Sequence, residues 1–347
     1  MKADNNLSRR RFLRNSALTS GFAAAGTLGL QAERSAGNPD IRLPREVWIA
    51  GISQMGLRTN TSEEMVTEMF RLMDRTMAFH PDIVCLPEVF HTSNVSKKYS
   101  VTEELSLAEK ALPKFSEYAR KNQCYVVCPV YTSESGKIYN AAVLFDREGV
   151  KVGEYRKIRL TEGEIENGLT PGPVSPPVFE TDFGKVGVQI CFDLMWDDGW
   201  ARLQEKGAEV VFWPSAYGGG LVVESKAWQH KYVVASSTRK NTSRLCDITG
   251  EVITRTGIWD PGFYCGPVNL EKAFLHTWPF VRRFDEIRAK YGRKVRITNF
   301  HEEEWSIIES LSPEIKVADI LKEFDLRTFV EHTRDAEVVQ VKARGKL

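Results

Sequence analysis

Short apolar runs that break off at polar residues are what most constrains the fold of this chain. Glu46–Ile52, Asp82–Glu88, Val186–Cys191 and Ala208–Trp213 are rich in branched and aromatic residues, and each is too short for a buried helix. Runs of this kind, bounded by turn residues, read as strands buried on both faces. Segments with helical period lie between them. Thr61 and Glu64 stand in capping-box spacing ahead of Met65, Met69, Leu72 and Met73, which share one helix face. Further helices are expected at Pro113–Asn122 and at Ala201–Lys206, the latter stopped by Gly207. Cys124–Cys128, Lys231–Ser237 and Val252–Thr254 add strands, and Asn140–Phe145 with Val150–Tyr155 forms a hairpin turned around Gly149. Strands alternating with helices predict an α/β fold. Two successive strand–helix–strand runs, each carrying a candidate reactive residue, hint at an internal repeat.

Two of the strands end on chemistry. Cys191 closes the run from Val186 and leads into Phe192-Asp193-Leu194-Met195-Trp196. Glu88 closes the run from Asp82, with Pro87 stopping the ladder just before it. Lys157 follows the hairpin within Glu154–Ile158. Carboxyl ends of strands are where α/β sheets bind ligands. Taken singly, Cys191 is an ordinary small hydrophobe, Glu88 a solvated strand end and Lys157 a surface cation. Together they make a set for nucleophilic catalysis. The carboxylate can take the thiol's proton, and the ammonium can stabilise both the thiolate and a developing oxyanion.

At these residues the chain resembles a known family. Leu86-Pro87-Glu88, Tyr155-Arg156-Lys157 and Gln189-Ile190-Cys191-Phe192-Asp193 look like the three motifs of the nitrilase superfamily of carbon–nitrogen hydrolases, in the family's order. The likeness extends to Phe212–Ala216 and to Asp247–Val252. It implies a four-layer α-β-β-α sandwich and a Glu88-Lys157-Cys191 triad, which would hydrolyse a small linear amide or N-carbamoyl compound through a thioester. It also implies a second carboxylate beside the lysine. Glu162, Glu164 and Glu166 are the candidates, and Glu164 sits best relative to Thr170-Pro171-Gly172. The backbone N–H of Phe192 would share the oxyanion with Lys157. No metal or organic cofactor is required. Acyl transfer to an amine and pantetheinase-like amide hydrolysis stay open on the same triad, as does a non-catalytic binding protein that keeps the fold. In the family nitrile hydrolysis tends to accompany Trp-Glu after the nucleophile, so Phe192-Asp193 points to amides.

The N-terminus carries a separate signal. Ser8-Arg9-Arg10-Arg11-Phe12-Leu13-Arg14 precedes a stretch without charge as far as Glu33, which resembles a twin-arginine export signal. The apolar part is short and interrupted by glycines, which argues against a membrane span. Lys2 and four arginines against Asp4 put +4 on residues 1–32 of a chain whose total is +1, leaving about −3 on the rest. So nearly neutral a body offers no electrostatic case for nucleic-acid binding. Export by the twin-arginine machinery to the periplasm or cell envelope is therefore expected. Residues 1–37 are assigned to signal and linker, 38–270 to the hydrolase domain, and 271–347 to a C-terminal extension. That extension would pack on the domain or on a partner subunit of a homo-oligomer. Within it Phe280, Phe284, Ile287 and Tyr291 mark an amphipathic helix, and Arg293–Ile297 an edge strand. Cys124 and Cys128 would share a core-facing strand face. Tyr217-Gly218-Gly219-Gly220 is expected as a flexible loop at the pocket mouth, and His91 as the histidine nearest the site.

Overall fold

The computed structural model describes residues 43–345, so the twin-arginine-like segment lies outside the described residues. The chain begins with β1 (Glu46–Ile52), α1 (Ser62–Thr76), β2 (Ile83–Cys85), α2 (Val101–Asn122), β3 (Tyr125–Glu134), β4 (Lys137–Phe145) and β5 (Lys151–Arg156). After α3 (Glu162–Glu166) and β6 (Val178–Glu180) the pattern recurs. It runs β7 (Lys185–Val188), α4 (Asp198–Glu205), β8 (Val210–Ser215), α5 (Leu221–His230), β9 (Val233–Thr238), β10 (Arg244–Cys246) and β11 (Val252–Arg255). In both halves three parallel strands are linked through two helices and then extended by antiparallel strands. The repeat hinted at by the sequence is thus present in the topology.

β12 (Phe263–Asn269) pairs antiparallel with β1 and completes the first sheet, ordered β12-β1-β2-β3-β4-β5; the second is β11-β10-β9-β8-β7-β6. The alternation of side chains along the strands sets the layers. Ile83 and Cys85 of β2 join Val210 and Phe212 of β8 in one apolar core between the sheets, whereas Val84 faces α1 and α2. Val211 and Trp213 of β8 face α4 and α5 instead. The result is the four-layer α-β-β-α arrangement. Cys124 and Cys128 lie in the core beneath α1 and α2, and all six cysteines are free thiols.

Local chemistry moves several boundaries. α2 starts at Val101, well before Pro113, because Ser100 and Glu103 form a reciprocal capping box. The helix then runs through Pro113, which has no N–H to give the ladder. In α1 the Thr61 hydroxyl accepts from Glu64 N–H at 3.3 Å, but the Glu64 carboxylate turns to Asn60 N–H at 2.8 Å. Gly149 turns the β4–β5 hairpin at φ +79, where a Cβ would stand 2.4 Å from the Ser116 carbonyl oxygen. β9 begins at Val233 rather than Lys231, because Lys231 ends α5 in the left-handed region at φ +61.

The remaining chain forms β13 (Lys272–His276), α6 (Thr277–Phe280), α7 (Phe284–Tyr291), β14 (Val295–Phe300), β15 (Trp305–Ser310), α8 (Val317–Glu323) and α9 (Phe329–Arg344). Its small sheet, β13-β15-β14, has β14 at the edge and a core of its own around Phe280, Phe284 and Ile287. This segment is tied to the two large sheets at several points, among them the Lys272–Asp247 ion pair at 2.8 Å. Asn269 Nδ2 donates to Glu309 at 3.0 Å and to the Ser310 carbonyl at 2.9 Å. The Lys231 ammonium lies 3.6 Å from the Trp305 ring centre and is also ringed by Trp228, Phe274 and Phe329.

Candidate active site

Each candidate side chain sits where a strand of one half gives way to a loop. Strand β2 ends at Cys85, yet Leu86 N–H still donates to the Val127 carbonyl at 3.1 Å. Pro87 then releases the chain, and Glu88 enters the interior with 3% exposure. Lys157 comes directly after β5, its N–H tied to the Asn140 carbonyl at 2.8 Å, and is 1% exposed. Cys191 lies beyond β7 on a tight turn, at φ +46. That left-handed conformation is costly for a residue with a Cβ and persists where its surroundings enforce it. Here the enforcement is visible: Trp213 Nε1 donates to the Cys191 carbonyl at 3.1 Å. The Asp193 carboxylate accepts from Ile190 N–H at 2.8 Å, Arg159 N–H at 2.7 Å and the Tyr155 hydroxyl at 2.7 Å. Asp193 thus binds the cysteine turn to residues on either side of Lys157. Burial pushes its pKa up to about 6 despite those three donors.

The Lys157 ammonium donates to Glu88 Oε1 at 2.8 Å and to Glu164 at 2.8 and 3.0 Å. Glu164 is held there by helix chemistry. As partner of Thr161 in the capping box of α3, its carboxylate must turn back to Thr161 N–H, 2.8 Å away, at the helix start beside Lys157. Asn140 Nδ2 bridges the two carboxylates, at 3.0 Å from Glu88 and 2.7 Å from Glu164. Arg239, one residue past β9, completes the ring at 3.3 Å from Glu88 Oε2 and 2.6 Å from Ser93 Oγ.

These contacts set the protonation states. Burial works against an ionised Glu88, but Lys157 and Arg239 outweigh it, and the carboxyl is held below its ordinary value. Burial likewise opposes a charged Lys157, and Glu88, Cys191 and Glu164 more than reverse this, so it stays an ammonium. Burial first, and then the charge of Glu88, push the Cys191 thiol up to about 11, with Lys157 pulling the other way. The resting site is a neutral thiol beside a carboxylate and an ammonium. All of these residues, with Asn140 and Arg239, line one cavity of about 640 Å³.

The profile of the carbon–nitrogen hydrolase family matches residues 49–272, well over half of the chain. The chain belongs to this family. Among curated relatives, nitrilase homolog 2 of Dictyostelium discoideum is 29% identical over 184 residues, covering 49% of this chain and 54% of its own length. The ω-amidase of Saccharomyces cerevisiae is 27% identical over 250 residues, covering 61% of this chain and 85% of its own. The chain therefore spans about half of the first relative and most of the second. Its fold is shared by the crystal structure of an amidase from Nesterenkonia sp., at a TM-score of 0.56 and 19% identity, over 64% of this chain and 90% of that one.

The chain brings Glu88, Lys157, Glu164 and Cys191 into one cavity, while one expectation fails. The Gly218–Gly220 segment does not line the cavity; Ala216 does. At Gly219 the backbone is at φ +66 and a Cβ would stand 2.4 Å from Val223 Cγ2, so this is a tightly packed turn leading into α5 rather than an open loop. His91, next in sequence to the lining residue Thr92, does not itself line the cavity; it is fully buried, with Nε2 3.0 Å from the carbonyl of the lining residue Glu104. Burial brings its pKa down to about 4, which keeps it neutral. Of Phe192, the ring packs edge-on against Trp196 at 5.0 Å. Sequence reasoning missed Asn140 and Arg239. The only signal for either was a polar residue at the end of an apolar strand.

Proposed function

We propose that this protein hydrolyses a small linear amide or N-carbamoyl compound through a thioester on Cys191. The observation that carries the reading is the buried Glu88–Lys157 contact of 2.8 Å in the cavity that Cys191 lines. With the thiol neutral at rest, attack and deprotonation go together. As sulfur bonds to the carbonyl carbon, the thiol proton passes to Glu88. The carbonyl electrons become an oxyanion. An ammonium has three N–H donors; one serves Glu88, one can be shared by the two Glu164 oxygens, and the third remains for the oxyanion, alongside Phe192 N–H. Collapse breaks the C–N bond, and Glu88 returns its proton to the departing nitrogen. Water then adds to the thioester with Glu88 again taking a proton, the acid leaves, and the thiol is restored. Glu164 and Asn140 act as positioning residues for Lys157 and Glu88.

Incubation with an amide series followed by intact-mass measurement tests the reading. A mass increase equal to the acyl group, absent from Cys191→Ala, is expected. Amide turnover by Cys191→Ala would refute it, and faster turnover of nitriles than of every amide would refute the substrate class.

The reading carries two further proposals. Export by the twin-arginine route rests on Arg9-Arg10-Arg11-Phe12-Leu13; replacing the three arginines by lysine should hold the precursor in the cytoplasm. Assembly into a homo-oligomer draws support from α9, a 16-residue helix with no buried residue that leaves Val338, Val339 and Val341 exposed. Light scattering should give a multiple of the chain mass, and a monomer would contradict the proposal.

A further inference from the structure

The proposed mechanism asks Glu88 to take up a proton and give it away, and its two carboxylate oxygens are not equally placed for that. Oε1 accepts from Lys157 Nζ at 2.8 Å and from Asn140 Nδ2 at 3.0 Å, which fills both of its lone-pair sites. Oε2 meets one donor among the described residues, Arg239 Nη2, at 3.3 Å. Oε2 is therefore the oxygen with room for a proton, and the guanidinium stands beside it.

Arg239 is itself firmly held. Its N–H donates to the Ser215 carbonyl at 2.9 Å, its carbonyl accepts from Asn94 Nδ2 at 3.3 Å, and Nη1 donates to Ser93 Oγ at 2.6 Å. Ser93 Oγ in turn donates to the Val89 carbonyl at 2.7 Å. Val89, directly after Glu88, stands at φ +44. That left-handed conformation is costly for a β-branched residue and persists where its surroundings enforce it. The chain of contacts from Arg239 through Ser93 to Val89 is part of the enforcement. It ties the end of β9 to the backbone turn that carries Glu88.

Charge points the same way as geometry. Burial comes first among the influences on Glu88 and opposes its ionised form, and Lys157 and Arg239 reverse it. Lys157 is also engaged by Glu164 and by the charge of Cys191. Arg239 has Glu88 as its one ion-pair partner among the described residues. The other titratable groups facing this cluster are Tyr131 and Glu104; burial pushes Glu104 up, with Thr92, Arg239 and Tyr131 acting the other way.

We propose that Arg239 is a positioning residue for the reaction, which fixes the Glu88 turn and keeps Oε2 ready for the thiol proton. The inference rests on the hydrolase reading given above and adds to it the residue that readies the base.

The test follows kcat/KM for an amide from pH 5 to pH 9 in the native protein, Arg239→Gln and Arg239→Lys, each first checked for folding by circular dichroism. The acid limb of this profile reports the base of the free enzyme. In Arg239→Gln the limb should move to higher pH. The deficit against the native protein should then widen as pH falls and reach about tenfold, the low end for loss of an opposite charge this close. Arg239→Lys keeps the charge and should recover most of the limb. The shift should persist in a Glu104→Gln background, which removes the other carboxyl that faces Arg239. A deficit equal at every pH, or a lysine variant no better than the glutamine one on the acid limb, overturns the inference. Infrared titration of the Glu88 carboxyl, assigned by subtracting the Glu88→Gln spectrum, reads the same protonation without substrate. It should show the same upward displacement in Arg239→Gln. That displacement in a protein that hydrolyses no amide sinks the hydrolase reading and keeps the role of Arg239. Amide turnover with an unmoved Glu88 titration does the reverse.

Discussion

Lys157→Met is the substitution that asks most of the buried charge cluster. Lys157 is 1% exposed and touches Glu88, itself 3% exposed, at 2.8 Å. At an effective dielectric of ~20, such a contact carries about 6 kcal/mol of gross attraction, set against several kcal/mol of lost hydration for each ion. Removing the main partner of a buried charge costs roughly 3–5 kcal/mol, and here the low end applies, because Arg239 still contacts Glu88 at 3.3 Å. Glu164 would lose its contact as well, and the two carboxylates would face each other across Asn140 Nδ2. One proton taken up from solvent relieves both problems, so the cost must depend on pH. In the native protein Glu88 is held below its ordinary value. Its contribution is present above the unfolded carboxylate value, ~4.3, and is lost as pH falls through the lower folded one. In the variant only Arg239 and Asn140 are left to oppose burial, which comes first among the influences on Glu88 and pushes it up, so stability falls as pH rises through that raised value. The gap between the two proteins should therefore be about 3 kcal/mol at pH 7 and shrink steadily toward pH 4.5. Urea unfolding followed by circular dichroism at pH 4.5, 5.5 and 7 measures it. Adding Glu88→Gln should recover part of the loss at pH 7. A gap under about 1 kcal/mol, or one that stays constant with pH, would refute the argument that Glu88 depends on Lys157 for its charge.

Other outcomes follow from the same geometry. Alkylation of Cys191 by iodoacetamide should accelerate with pH well past 9, since the thiol is pushed up to about 11; a plateau by pH 8 would mean a preformed thiolate. Cys191→Ala should remove turnover while shifting stability by no more than about 1 kcal/mol, because only one sulfur is lost, and a calorimetric scan checks this. Asp193→Asn should cost roughly 1–3 kcal/mol and slow acylation, since the NH₂ that replaces one oxygen cannot accept and the remaining oxygen cannot serve all three donors from both sides; unchanged stability would count against the clamp. Gly219→Ala should destabilise by about 1–3 kcal/mol through left-handed strain and the contact with Val223; a neutral result would mean the turn relaxes.

How much of this was legible beforehand depended on the range of the interaction. Strands such as Ile83–Cys85 and Val210–Ser215 announce themselves because burial on both faces demands unbroken apolar runs. Boundaries were less legible. The start of α2 turned on a single Ser100–Glu103 cap, and the end of the Cys191 strand on a tight turn that Asp193 holds in place. The Gly218–Gly220 segment read as open because glycines suggest freedom, whereas Gly219 admits Trp213 and Val223 at close quarters. Asn140 was hidden as the first residue of an apolar stretch, and Arg239 as a cation past another.

The amino-acid sequence by itself determined the alternation of strands and helices and the three residue types offered at strand ends. Those are consequences of period, length and turn chemistry, which act over a few neighbours. The meeting of Glu88 with Lys157, 69 residues apart, was decided by tertiary structure. So were the recruitment of Asn140 and Arg239, and the protonation states that follow. Packing two sheets face to face removes water from the strand ends, and in that dry space each ion takes its charge from whichever partners the fold has delivered.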